Sequence, residues 1–246
     1  MSKLKAKLHQ KILGWRPRTN RLSKEFGDVI VDKVTMEQII GGMRAVKCLI
    51  TDISYLDPNE GIRFRGYTVK ETIQKLPKPA GKEIPYVEAL FYLLLTGDIP
   101  HEDEMQELLE EFQKRKCVPE YVFTLLRTLP KETHPMTMLS TAILALQPES
   151  IFAKKYQEGM NKLDYWDSTY EDSLNLAAKI ATIAAFIYRL KYKGDDFACP
   201  DEDLDFGSSF AKMMGFPEPY DEVSRLFFIL HSDHENGNVS AHAGHL

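Results

Sequence analysis

The stretch from Tyr170 to Lys193 most narrows the folds open to this chain. It runs without proline or glycine until Gly194. Its apolar residues recur at helical spacing, so a long helix is expected. Ala177, Ala178, Ala181, Ala184 and Ala185 keep it slim, and a partner helix can approach closely. A helix of this kind belongs inside a mainly helical body.

The segments around it agree. Val69–Leu76 ends at Pro77. Pro85 opens a buried helix through Leu95, and Gly97 stops it; proline at the start and glycine past the end is the usual asymmetry. Glu102–Lys116 is acidic at its start and basic at its end, matching the helix dipole. His134-Pro135 opens a helix over Met136–Leu146 with His134 as its cap, and Ser150 caps another running to about Asp164. Leu204–Met214 ends at Gly215, and Val223–Leu230 is the last apolar run. Nearer the N-terminus, residues 3–14 predict a short amphipathic helix, with a break at Arg16–Asn20 around Pro17. Thr35 caps a turn of helix to Ile40. Short strands are expected at Val29–Val34, around Val46–Ile53 and over Ile62–Tyr67, the last two separated by the turn Asp57–Gly61. The fold class is therefore mainly α, with a few short β-strands near the N-terminus. No linker marks a domain boundary.

Composition excludes several classes. At 43% hydrophobic and 27% charged, the 246 residues are ordinary for a globular domain. A net charge of −5 argues against nucleic acid as a partner. Cys48, Cys117 and Cys199 are distant and odd in number, which suggests reduced thiols. No apolar run is read as a membrane span, Ala89–Thr96 being far too short. The N-terminus shows no signal-peptide core.

Four of the seven histidines fall in the last sixteen residues, His231-Ser-Asp-His234-Glu-Asn-Gly-Asn238-Val-Ser240-Ala-His242-Ala-Gly-His245-Leu246. Such a window can share protons or bind a carboxylate near neutral pH. Asn236-Gly237 signals a turn, and Asn238 stands where it could cap a new helix. Three readings compete. The pairs His231/His234 and His242/His245 could hold zinc, although a turn between them blurs the geometry. The histidines could be satisfied by backbone carbonyls at a polar corner, the natural reading of His242 and His245. Or the window could bind a small carboxylate.

The segment HSDHENGNVSAHAGHL resembles the oxaloacetate-binding segment of citrate synthase, of the type found in mitochondria and some bacteria. GGMRAVK at 41–47, LDPNEGIRFRGYT at 56–68, EALFYLLLTGDIP at 88–100, HPMTMLSTAILAL at 134–146 and KYQEGMNKLDYWDSTYED at 155–172 resemble the same family. The resemblance implies a large helical domain, a homodimer, and condensation of acetyl-CoA with oxaloacetate to give citrate and CoA. It implies no permanently bound cofactor and no metal. His234 matches the histidine that hydrogen-bonds oxaloacetate, and Asn238 an asparagine near the same substrate. Arg44 matches an arginine that contacts CoA phosphate. Lys162 falls where the family often carries a CoA-contacting arginine; lysine keeps the charge but loses the bidentate fork.

The family's catalytic aspartate and two histidines, its substrate-clamping arginines and its small domain are expected beyond Leu246. No catalytic residue is therefore assigned here, and residues 1–246 read as the N-terminal part of the large domain, inactive alone. The resemblance begins almost at once and leaves no room for a transit peptide, which suggests a bacterial-type, cytoplasmic protein. Three alternatives stay open: a 2-methylcitrate synthase, a shortened non-catalytic scaffold or dimer partner, and a zinc protein built on the histidine cluster.

Overall fold

Helix formers and capping residues divide the chain into eleven α-helices and three short strands among the described residues. These are residues 2–42, 46, 50–197 and 204–234 of a computed structural model. The backbone groups into two compact units. One comprises residues 1–74, 92–98 and 233–246, the other residues 75–91 and 99–232.

In the first unit, α1 (Lys3–Phe26) starts at Ser2, whose hydroxyl accepts the Lys5 N–H. The helix passes through Pro17, so the expected break at residues 16–20 is not there. Proline removes only one hydrogen bond, and the flanking residues favour helix; Arg21 and Glu25 also pair one turn apart at 3.8 Å. Leu4 and Leu8 are buried. Lys11 and Lys7 reach Asp98 at 2.9 and 3.5 Å. Burial pushes the Asp98 carboxyl up, but the two lysines outweigh it and hold it below its ordinary value.

The strand expected over Val29–Val34 is absent; these side chains are exposed, and without a partner strand the backbone has no ladder to join. Thr35 caps α2 (Met36–Ile40) through a capping box with Gln38. β1 (Ser54–Asp57), β2 (Gly61–Phe64) and β3 (Tyr67–Thr68) form an antiparallel sheet in that order. The Asp57 carboxylate accepts the N–H groups of Asn59 and Glu60, both at 2.8 Å, and so shapes the first turn. Between β2 and β3, Arg65 and Gly66 both take positive φ, 49° and 89°, as a two-residue hairpin turn requires. The Arg65 guanidinium donates to the Leu94 carbonyl at 3.0 and 2.6 Å and pairs with Asp52 at 2.7 Å.

α3 (Val69–Lys75) and α4 (Val87–Thr96) follow, with Gly97 at φ 78° after α4. The second unit is built around α9 (Tyr165–Tyr192). Against it lie α5 (Glu102–Arg115), α6 (Glu120–Thr128), α7 (Pro135–Ala145), α8 (Ile151–Gln157) and α10 (Phe206–Met214), with α11 (Tyr220–Leu230) packed on α10. Ile183 and Phe186 of α9 are fully buried with Val122 and Leu126 of α6 and Met138 and Ala142 of α7. Ala181 and Ala185 let Met213 of α10 approach, so the alanine face is used within the chain.

Lys162–Tyr192 is long and apolar enough, by length and composition, to cross a bilayer, which corrects the reading that no such run exists. Its residues Leu174, Ile183 and Phe186 are instead the centre of the helical packing. α6 has no counterpart among the expected helices. α9 also begins earlier than expected, and Ile151–Asp164 splits into α8 and a 3-10 turn at Lys162–Asp164. His134 caps α7 as expected, its Nδ1 accepting the Met136 N–H at 3.2 Å.

Candidate functional site

The histidine-rich segment is approached along α11, and the chemistry that holds α11 begins with one residue. Arg225 interrupts the apolar run of this helix, and its side chain is only 1% exposed. Its Nη2 pairs with Asp205 at 2.7 Å and its Nη1 with Asp221 at 3.1 Å; Nη2 also donates to the Ser208 hydroxyl. Asp205 is at the same time the N-cap of α10, accepting the Gly207 and Ser208 N–H groups at 3.0 and 3.2 Å. A Cβ on Gly207 would stand 2.5 Å from the Arg225 Cγ, so only glycine leaves room for the guanidinium stem.

Lys82 adds a salt bridge to Asp221 at 2.8 Å. Glu222 accepts the backbone N–H groups of Glu83 and Ile84 at 2.8 and 2.9 Å. Burial would push the Asp205 and Asp221 carboxyls up. For Asp205 the hydrogen bond and charge of Arg225 prevail; for Asp221, Lys82 leads and Arg225 assists; both stay below their ordinary value. A cleft of about 1610 Å³ opens beside this network, lined by Lys82, Tyr86, Gln113, Asp205 and Arg225 among others; neither Lys162 nor His234 lines it.

α11 closes at His231. The His231 ring stacks on Phe227 with centroids 4.3 Å apart, and its Nδ1 lies 2.8 Å from the Phe227 carbonyl. The Ser232 hydroxyl donates to the Ile229 carbonyl at 2.9 Å. His231 is thus occupied by its own helix end, and His234 is exposed. Lys162 is exposed too, the first residue of the 3-10 turn that Asn161 caps by accepting the Leu163 N–H. Arg44 and Asn238 lie outside the described residues, as do His242, His245 and the helix expected from Val239. Among the described residues, no group of three or more His, Cys, Asp or Glu side chains is placed to hold a metal ion.

Reading the sequence missed Arg225 and its partners. A signal was present: a single cation in the run Val223–Leu230, with Asp221 one turn before it.

Residues 42–246 match the family model described as citrate synthase, C-terminal domain. The chain is 42% identical to citrate synthase 4, mitochondrial, of Arabidopsis thaliana, covering 99% of this chain and 52% of that protein. It is 46% identical to the mitochondrial citrate synthase of Neurospora crassa, covering 92% and 48%. The chain spans about half the length of the curated relatives it matches. Among solved structures, the citrate synthase of Pyrobaculum aerophilum superimposes with a TM-score of 0.68 at 27% identity, over 83% of this chain and 50% of that one. That of Thermoplasma acidophilum, solved with carboxymethyl coenzyme A and oxaloacetate, shares the fold at a TM-score of 0.68 and 24% identity, over 86% and 51%.

The mitochondrial relatives overturn the expectation of a bacterial-type, cytoplasmic protein. That expectation rested on how soon the resemblance begins, which does not decide the compartment. On the match over residues 42–246, this chain belongs to the citrate synthase family.

Proposed function

We propose that this chain works as part of a citrate synthase, condensing acetyl-CoA with oxaloacetate and water to citrate and CoA in the mitochondrial matrix. The observation that carries the reading is 42–46% identity to mitochondrial citrate synthases over nearly the whole chain. Residues 1–246 are read as the N-terminal part of the large domain. The groups that remove the methyl proton, stabilise the enol and polarise the ketone come from the half of the family that this chain does not span. His234 and Asn238 hold oxaloacetate; Arg44 and Lys162 contact the CoA phosphates, and acetyl-CoA enters as a substrate. The exposure of His234 and Lys162 fits residues that meet a ligand or another part of the protein.

His234→Ala, made in the full reading frame, tests the site. It removes a hydrogen bond to a charged substrate, worth about 1.5–3 kcal/mol. Apparent oxaloacetate affinity is expected to fall more than about tenfold, with a smaller change for acetyl-CoA. His242→Ala should do much less. Equal losses at both positions would argue for a shared metal site instead.

The working unit is read as a homodimer. Met136 and Leu144 of α7 are 60% and 75% exposed, and Leu176 of α9 is 36% exposed, an apolar surface suited to a second copy. Sedimentation of the full-length protein at micromolar concentration should give twice the monomer mass; a monomer would rule the dimer out.

A further inference from the structure

Glu88 is fully buried on α4, and none of the roles above uses it. Its Oε1 accepts the Phe206 N–H at 2.8 Å, at the first residue of α10. Its Oε2 has no hydrogen-bond partner among the described residues. Glu88 borders a void of about 20 Å³, walled also by Gln113, Thr182 and Ser209. A void of that size accommodates one water.

The charged and titratable neighbours come from several elements. Asp205 faces Glu88 from the N-cap of α10, and Arg225 faces it from α11. Tyr86 precedes α4 and feels the Glu88 charge, and Lys116 follows α5 and borders the void. Arg225 is shared between Asp205 and Asp221, so the cation that faces Glu88 is already paired with two other carboxylates.

We propose that Glu88 is a proton-operated latch on α10. With a proton on Oε2, the carboxyl is neutral, Oε1 still accepts from Phe206, and the contact between α4 and α10 stays dry. When the proton leaves to solvent, the carboxylate draws water into the void and loosens the first turn of α10, and with it the Asp205–Arg225 join to α11. Burial is the largest cause that raises the Glu88 carboxyl, with Asp205 next; the Phe206 N–H and Arg225 pull it back, leaving it at about 7 against an ordinary 4.5. The folded value lies above the unfolded one. The stabilisation from holding the proton is therefore complete below about 4.5 and is lost as pH rises through about 7.

Infrared titration of the full-length protein with carboxyl-labelled glutamate tests the protonation directly. A protonated-carboxyl band should be present near pH 6, where a solvated glutamate is ionised, and should vanish by about pH 8.5. It should be missing throughout from Glu88→Gln. Amide exchange, corrected for the intrinsic pH dependence, tests the latch. Protection across α10 should fall by about tenfold between pH 6 and 8.5 in the parent and stay level in Glu88→Gln, which keeps the acceptor without the charge. An absent band near pH 6 would overturn the proposal, as would equal exchange behaviour in the two proteins. The band is measured on the unsubstituted protein, so a variant that fails to fold does not rescue the idea.

Discussion

Arg225→Met is expected to destabilise the folded chain by about 3–5 kcal/mol, because it leaves Asp205 and Asp221 buried without their shared cation. Methionine fills much of the space of the arginine stem, so lost packing contributes little. The deficit arises from two carboxylates whose values Arg225 helps to hold below the ordinary 3.8. A depressed folded value means stability present above the unfolded value and lost as pH falls through the folded one. In the variant Asp205 loses that support at neutral pH while Asp221 keeps only Lys82, and protonation in acid relieves the stranded charge. The difference between parent and variant should therefore be largest near pH 7 and shrink below about pH 4. Urea denaturation followed by circular dichroism at several pH values measures it. An unchanged midpoint at pH 7 would show that the carboxylates find other partners. Adding Asp205→Asn to Arg225→Met should recover part of the loss, since both halves of the pair are then uncharged.

The second large effect follows from the proposed function. The 246-residue chain alone is expected to release CoA from acetyl-CoA, in an oxaloacetate-dependent manner, at no more than about 10⁻⁴ of the rate of the full reading frame. Each missing acid or base contributes about 10²–10⁴-fold, and the enol donor adds electrostatic stabilisation of similar size. His234 and Asn238 could orient oxaloacetate, but on this reading nothing in the chain takes the methyl proton. A free-thiol assay run on both proteins side by side decides the matter. Comparable rates would place the catalytic groups within these residues, with the His231–His245 cluster the first place to look.

Arg225 and Glu88 pull the pH profile in opposite directions. The Arg225 carboxylates favour the fold once pH exceeds the ordinary carboxylate range, whereas the Glu88 contribution is lost as pH rises from about 4.5 through about 7. The α10–α11 pair should accordingly be tightest in weak acid, between those limits.

Much of the helical architecture was legible because its signals are local. Thr35 before α2, His134 before Pro135, Gly97 after α4 and Gly215 after α10 each act within a turn of backbone, and each stands where the residue pattern put it. The Asp57 turn is local in the same sense, whereas the single strand expected over Ile62–Tyr67 is broken at Arg65-Gly66, whose positive φ values fold it back into β2 and β3. The family was legible too, because long ordered segments carry it, and the match over residues 42–246 agrees.

Other features were decided by tertiary structure. Pro17 reads as a break, yet α1 continues, since one lost hydrogen bond does not outweigh the turns on either side. Val29–Val34 has strand composition, but strand propensity acts only where a neighbour supplies a ladder. The alanines of α9 announced a close partner without naming it; packing gives that face to α10 of the same chain. Arg225 and Glu88 were least legible of all. Arg225 meets Asp205 twenty positions away, and Glu88 meets Phe206 across 118 positions. Whether a charged side chain sits in water or in the core depends on what folds over it, and that burial sets the strength of each charge and the sign of its pH dependence.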